Sequence, residues 1–431
     1  RRHRVTSMSE DKIAWKPAAM SRIETTNESP PGFQSLVFVG IGMKSEMLEP
    51  TNPDDWLATI SGLKSWGEVP SQDSSVEEII HSDRGINLKL KDNDTYWLAE
   101  FFPWGNDGRL RSRISLATGK SDSPIGLFSW NNIDLISLRK WNENLRQVKS
   151  KLISAINSND LETSKEIVFK SAAAIGTFHR SAESGRITPR DARKWNKRVE
   201  TLEALLRANT IWRAPHTKDT VCIITIGDVR FSDMIDGSDG EYGIYLNRPR
   251  LSDSIAKPNC EFPAMRDFSS LLHDLNRIYY SSESKLSIRD LRESMIDGWR
   301  STAPEKWSSE GSFYTPRGGV FFWEYEQCLL DVIEAVSHQS GKPEPAVSML
   351  REVPGIQRTM YNHRIIAALS FMTGFFSASG FYQYLVGNSN EVFIPLILLP
   401  ITIGLYYSYR RLAPSPELSI LRVWNEKISN S

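Results

Sequence analysis

The sequence predicts a mixed α+β body followed by an α-helical transmembrane hairpin. Three observations carry this expectation: strand-like runs concentrate in the first third of the chain, helical periodicity then takes over, and two uncharged apolar stretches stand near the C-terminal end. At 431 residues the chain exceeds what one hydrophobic core organises, so several structural units are expected. Lys plus Arg and Asp plus Glu both number 52. Without a basic excess, wholesale nucleic-acid binding loses its electrostatic driving term, and no nucleic-acid partner is expected. The three cysteines, Cys222, Cys260 and Cys328, lie far apart with no CxxC spacing, which argues against a zinc site or a disulfide framework and fits a reducing compartment.

Residues 1–30 contain no apolar run of secretory-signal length and are expected to be a disordered lead, with Met8 a candidate natural start. Residues 31–130 form a β-rich unit. Ser35 to Gly42 reads SLVFVGIG, and Ile86 to Pro103 shows two β-rich runs joined by the turn-forming KDND, a hairpin signal. In YWLAEFFP, Leu98, Glu100 and Phe102 share one face of the strand, so Glu100 is expected to be semi-buried. An unpaired carboxylate is costly there, and Arg109, Arg111 or Arg113 in the next helix are its expected partners.

Residues 131–345 read as mostly helical. Leu135, Leu138, Trp141, Leu145, Val148 and Leu152 recur at spacings of three and four, which predicts a helix from Asp134 onward. Further helices are expected over 160–182, 189–208, 266–280, 287–300 and 319–338. His179 and His273 follow apolar helical stretches and read as packing residues. The thirteen tryptophans are scattered, which suggests core and membrane-surface packing more than a stacking platform.

After a linker over 346–364, residues 365–409 carry the hairpin. Ile365 to Val386 has no charged side chain and makes about 33 Å of helix, enough to span a bilayer core. Val392 to Tyr409 is also uncharged but near the lower limit, with Pro395 and Pro400 inside. Arg358, His363 and Arg364 precede the first span, Arg410 and Arg411 follow the second, and the connecting loop carries only Glu391. The expectation is an integral membrane protein with two spans, both termini cytoplasmic, and a cytoplasmic tail over 410–431. Ser370, Gly374 and Ala378 form a small-residue ridge that serves either hairpin packing or self-association. No ionisable group lies inside either span, so the hairpin reads as an anchor in the lipid bilayer, not an ion path.

Between two predicted helices stands TVCIITIGDVRFSDMIDGSDGEYGIYLNRPRLSD, apolar, then acidic, then apolar again. Acids in such Gly-containing loops commonly cap turns or face water. Phosphoryl transfer also needs such a stretch, one Asp acting on a hydroxyl while neighbouring Asp and Asn oxygens hold magnesium.

The stretch resembles the catalytic segment of the aminoglycoside phosphotransferase and choline kinase branch of the protein-kinase-like fold, whose pattern is His-Gly-Asp, four residues, Asn, then a strand ending in a magnesium-binding Asp. The resemblance places Ile226 at the His, Gly227 at the Gly, Asp228 at the catalytic Asp, Asp233 at the metal-binding Asn and Asn247 at the second metal-binding and cofactor-binding Asp. The two metal positions are thereby exchanged. Ala173 to Gly185, AAIGTFHRSAESG, is similar to the helix that precedes this segment, and Arg266 to Leu275, RDFSSLLHDL, to the helix that follows it, with Asp267 at its Asp. YWLAEFFP resembles the strand carrying the phosphate-contacting Lys, with Glu100 in that place, and the turn SDRG at Ser82 to Gly85 has a single glycine where phosphate-cradling loops have more. The resemblance covers about residues 75 to 340 and implies a two-lobed kinase-like body.

It leaves two functional readings open. One is a membrane-anchored pseudokinase-like protein that binds a protein partner, a lipid or a nucleotide without catalysing. The other is a divergent phosphotransferase acting on a small-molecule or lipid hydroxyl, with Asp228 as base, Asp233 and Asn247 holding Mg, and ATP as the donor.

Overall fold

The computed structural model describes residues 15–24, 28–40, 42–106, 108–117, 121–143, 147–206, 220–237, 240–252, 261–309, 319–388 and 390–412. Its contacts divide the chain into a first unit extending to Val347 and a second beginning at Ser348.

The first unit opens with a three-stranded antiparallel sheet, β1 (Ser21–Glu24), β2 (Phe33–Gly40) and β3 (Met43–Pro50). After α1 (Trp56–Ile60), capped by Asp55, come β4 (Lys64–Gly67), β5 (Ser75–His81), β6 (Ile86–Asp92), β7 (Thr95–Phe101), α2 (Leu110–Leu116), β8 (Gly126–Trp130) and β9 (Ile133–Lys140). The six strands β4 to β9 make one sheet in the order β4-β8-β9-β7-β6-β5, antiparallel throughout. β6 and β7 form the expected hairpin. The helix expected from Asp134 is instead the strand β9, and helix begins only at α3 (Val148–Asn157). Leu135, Ile136 and Leu138 are all fully buried, so apolar residues fill both faces of β9 and imitate a helical spacing.

Helices dominate the rest of this unit: α4 (Leu161–Ala182), then β10 (Thr188–Pro189), α5 (Ala192–Leu206) and β11 (Val221–Cys222). Two short strands, β12 (Met234–Asp236) and β13 (Tyr242–Ile244), pair with each other. They are followed by α6 (Ala264–Tyr280), α7 (Ile288–Thr302), α8 (Glu305–Ser308) and α9 (Val320–His338). The helix starts are written locally. Asp160 accepts from Thr163 N (3.1 Å) at the head of α4, and Ser287 from Asp290 N (3.3 Å) at the head of α7. α4 and α7 meet backbone to backbone because both carry glycine at the crossing. A Cβ on Gly298 would stand 2.2 Å from Phe169 O, and one on Gly176 2.1 Å from Thr302 Oγ1.

The second unit is a helical pair. α10 (Ala346–Leu385) continues without a break into the apolar stretch, and α11 (Phe393–Leu412) returns from it. Among the described residues one helical stretch, Tyr361–Leu385, is long and apolar enough to cross a membrane; Phe393–Tyr409 is apolar but shorter. The two are joined by polar seams. Ser370 Oγ donates to Thr402 O (3.4 Å), Ser377 Oγ to Pro395 O (2.9 Å), and the ring of His363 stacks on Tyr409 at 4.3 Å. Gly374 and Gly380 face Thr402 and Pro395. The small-residue ridge therefore runs Ser370, Gly374, Ser377, while Ala378, which strict fourfold spacing selects, is exposed. A period of about 3.6 residues moves the stripe one position back by the second turn. In this structure the ridge serves packing between α10 and α11.

Candidate functional site

The loop from Ile226 to Phe231 has no strand partner, and its amides are taken by one face of α6. Ile226 N and Gly227 N donate to Asp267 (2.7 and 3.1 Å), Val229 N to Ser270 Oγ (3.0 Å) and Phe231 N to Asp274 Oδ2 (2.8 Å). Asp267, Ser270 and Asp274 stand at helical spacing, so a single rigid element fixes the loop. Gly227 supplies the positive φ of 118° that the bend requires. Asp267 is itself held by His179 Nε2 at 3.2 Å, and His179 Nδ1 lies 3.0 Å from Trp299 Nε1. Indole N–H only donates, so Nδ1 accepts and the imidazole proton sits on Nε2, facing Asp267. His179 thus orients a scaffold carboxylate, and His273 does similar work against Asp331 at 2.9 Å.

This loop brings Asp228, Asp233 and Asn247 to one wall, and every one of them is already engaged. Asp233 Oδ2 accepts from Arg84 Nη2 (2.7 Å) and Arg230 N (3.0 Å), while Oδ1 accepts from Asn247 Nδ2 (2.8 Å). Asn247 Oδ1 in turn accepts from Arg248 N at 2.9 Å. Asp228 Oδ2 lies 3.3 Å from Arg230 and 3.2 Å from Arg250. Burial alone would raise the Asp228 pKa, but Arg230, Arg250, Arg277 and Arg84 outweigh it and hold the carboxyl well below the usual carboxylate range. Asp236 pairs with Lys151, and Asp239 lies outside the described residues.

Two arginines cross between the sheet and this wall in opposite directions. Arg84, from the turn between β5 and β6, reaches Asp233 and donates from Nη1 to Arg248 O (2.9 Å). Arg248 reaches back, Nη1 to Ile86 O and Phe101 O (2.9 and 2.7 Å) and Nη2 to Ser82 Oγ and Asn87 Oδ1 (2.7 and 2.6 Å). Beside them Glu100 is buried and faces the same wall, accepting from Tyr245 Oη at 2.8 Å.

The cation beside Glu100 is Arg139 on β9 (Nε to Oε2, 3.1 Å), not Arg109, Arg111 or Arg113. Arg109 pairs with Glu261, Arg111 with Asp134, and Arg113 Nε donates to Thr225 O. The reason is sheet order: β9 lies beside β7, with Ser137 opposite Glu100, so the nearest guanidinium comes from a strand 39 residues away and not from the next helix. Burial would raise the Glu100 pKa, but Arg139 and Arg248, with the hydrogen bonds from Tyr245 and Arg139, hold it below the usual value. Arg84, Arg139, Arg248 and Arg250 were not singled out from sequence. The signals were the Arg inside the SDRG turn and the RPR that follows Asn247.

Two cavities flank this wall, with Tyr245, Asn247 and Arg248 lining both. One, of about 320 Å³, lies between Glu100, Trp141 and Ile235. The other, of about 170 Å³, lies among Arg84, Trp104, Arg113, Asp228, Phe262 and Arg266. Among the described residues, no group of three or more His, Cys, Asp or Glu is placed to hold a metal ion.

No family model matches the chain. No curated protein matches it either. Similar solved structures include a glucosamine kinase in complex with glucosamine, ADP and inorganic phosphate, with 11% identity and a TM-score of 0.46 over 82% of this chain and 97% of that one. A second crystal form of glucosamine kinase gives 11% and 0.47 over 80% and 98%. With identity this low and TM-scores below one half, these neighbours assign neither an activity nor a substrate to the chain.

Proposed function

We propose that this chain is a membrane-anchored, kinase-like protein whose two-lobed body binds a ligand or partner without transferring a phosphoryl group. The sheet of β4 to β9 is the small lobe in this reading, and the helices from α3 onward are the large one. The observation that carries it is the Arg84–Asp233 ion pair. A magnesium site needs carboxylate and carbonyl oxygens free to meet the ion. Here Asp233 spends both oxygens on Arg84, Arg230 and Asn247, and the Asn247 amide turns its NH2 group, not its oxygen, toward that carboxylate. The residues present therefore do not fit magnesium.

Asp228 likewise fits poorly as a general base, since a base is most effective with a pKa near the working pH and two arginines hold this one far below it. With Glu100 where a phosphate-contacting cation would stand, that position presents a carboxylate already bonded to Arg139 and Tyr245. The crossed Arg84 and Arg248 bonds also tie the lobes together, which suits a body that presents a fixed surface more than one that opens and closes around a substrate.

The test is phosphoryl transfer and nucleotide binding by the intact chain in detergent micelles, with and without magnesium. The expected result is no magnesium-dependent nucleotide hydrolysis or transfer. Turnover that disappears in Asp228→Asn would return the chain to the enzymes.

The anchor in this reading is the α10–α11 pair crossing the bilayer twice with both termini cytoplasmic, supported by the flanking arginines and the apolar, outward-facing Phe371, Phe375 and Ile403. A cysteine placed at Asn388 should react with an impermeant reagent added outside intact cells, and one at Ser415 should not. The reverse pattern would contradict this topology.

A further inference from the structure

Residues 15–20 precede β1 and are tied to the end of α9 at two places. Ala19 N donates to Ser337 O at 2.9 Å, and the Lys16 carbonyl oxygen lies 3.0 Å from His338 Nδ1. Trp15, at the head of this strap, is 2% exposed, and Met20 at its foot is buried as well. The Lys16 ammonium is turned the other way, to Glu49 on β3. An apolar segment is thus fastened to the last turn of a helix by two hydrogen bonds, one of them made by a titratable ring.

The contacts of His338 fix how many protons it carries. A carbonyl oxygen only accepts, so Nδ1 must donate to Lys16 O. On the other side, Nε2 lies 3.1 Å from Glu334 Oε2, one turn back along α9. Burial would raise the Glu334 pKa, but the bonds from His338 and from Ser252 N hold it below the usual value, so this carboxylate is ionised and also only accepts. An imidazole that donates from both nitrogens is the cation.

Loss of one proton does not fall equally on the two contacts. The hydrogen bond to a carboxylate is the stronger, so the remaining proton stays on Nε2. Glu334 is held in place to receive it, because Ser252 N and Oγ donate to its Oε1 at 3.0 and 2.9 Å. Nδ1 then turns a lone pair toward the Lys16 carbonyl, and an attraction becomes a repulsion between two acceptors. The charged groups that face His338 are Glu334 on its own helix, Arg250 beside the cleft, and Lys16 on the strap with its partner Glu49 on β3. Glu334 favours the charged ring, and Arg250 opposes it.

We infer that His338 is a protonation latch for the strap over residues 15–20: the imidazolium pins the strap to α9, and the neutral imidazole releases it. Glu334 outweighs burial and raises the His338 pKa above 6.5, so the latch is closed below 6.5 and opens as pH rises through the higher folded value. Opening uncovers Trp15 and the end of α9. None of this depends on whether the cleft transfers phosphate.

The experiment is hydrogen–deuterium exchange of the full chain in detergent micelles at about pH 6 and about pH 8, read on the peptide carrying Ala19 and corrected for the intrinsic rise of exchange with pH. Relative to α6 as internal reference, protection of this peptide should fall about two- to fivefold between the two conditions, the worth of one hydrogen bond. His338→Gln should give the same protection in both. Glu334→Gln is the sharper variant: with no carboxylate to hold the proton on Nε2, the neutral ring can carry it on Nδ1 and keep Lys16 O, so the strap should stay protected at the higher pH. A Glu334 that merely braces the helix would instead loosen the strap at both. Thermal melting shows whether each variant is folded, and Glu334→Gln decides if His338→Gln is not. No pH-dependent change in the parent chain, an equal change in α6, a change that persists in either variant, or a strap loosened at both pH values by Glu334→Gln overturns the latch.

Discussion

The helices behind the loop and the cleft in front of it both bury many charges, yet they balance them differently. Between α7 and α9, Arg292 meets Glu324 through two parallel bonds of 2.7 and 3.0 Å, with both side chains buried. Between α6 and α9, Arg277 meets Asp331 in the same way, at 2.7 and 2.8 Å. Each guanidinium there meets a carboxylate in fork geometry, Arg277 also reaching Asp274 at 2.7 Å, which is how a fold closes its own electrostatics. In the cleft, Arg84, Arg230 and Arg250 are shared among Asp83, Asp228 and Asp233, and among the described residues Asp228 Oδ1 and Arg248 Nε have no hydrogen-bond partner. Matched charge holds helices together. In the cleft the charges are shared among several partners, and single polar atoms are left over.

The largest expected effect tests the matched side. Glu324→Ala strands Arg292 in the interior and should cost about 3–5 kcal/mol in chemical denaturation. Replacing the pair together, Arg292→Met with Glu324→Leu, should restore most of that stability. A loss of under about 1 kcal/mol for Glu324→Ala would erase the distinction between the two regions.

Packing follows the same division. Gly298→Ala drives a methyl against Phe169 O at 2.2 Å and should cost about 3 kcal/mol, the upper end of overpacking. Gly227→Ala meets nothing within 4 Å and is strained only by its backbone angle, so about 1 kcal/mol is expected. Equal losses would mean that the loop is packed as tightly as the helices.

Arg84→Ala should cost about 2 kcal/mol, the worth of a charge-assisted hydrogen bond to Asp233. The same change frees a carboxylate oxygen, so binding of manganese, followed by paramagnetic resonance, should appear in the variant and be absent from the parent chain. Manganese bound equally well by both would show that Arg84 does not occupy a cation's place.

The smallest effect concerns His338 and Glu334, 3.1 Å apart. Burial would lower the His338 pKa, but the hydrogen bond its ring donates to the Glu334 carboxylate raises it above the ordinary 6.5. The pair's stabilisation is therefore complete below the unfolded value of 6.5 and is lost as pH rises through the higher folded value. A decline of under about 1 kcal/mol is expected across that window, absent in His338→Gln.

Much of the fold is legible because its signals are local. Asp160 and Ser287 announce their helices, amphipathic spacing marks α4, α6, α7 and α9, and KDND marks the β6–β7 turn. β9 is not legible because a strand with both faces covered loses its alternation. In the site, Asp228, Asp233 and Asn247 could be proposed from a resemblance, but their partners could not. Arg84 meets Asp233 across 149 residues of chain, and Arg248 reaches Ile86 across 162. Residue type says only that an arginine must be satisfied somewhere, and tertiary structure decides where. Sequence proximity misdirected the Glu100 partner to Arg109, Arg111 and Arg113 for the same reason.

The most direct test of the central claim, that a guanidinium stands where a phosphoryl-transfer site needs a metal, is magnesium-dependent nucleotide binding by the intact chain. Titration with ATP in the presence and absence of magnesium should give affinities that do not differ between the two conditions. Binding that tightens at least tenfold with magnesium and is abolished by Asp233→Ala would contradict the account.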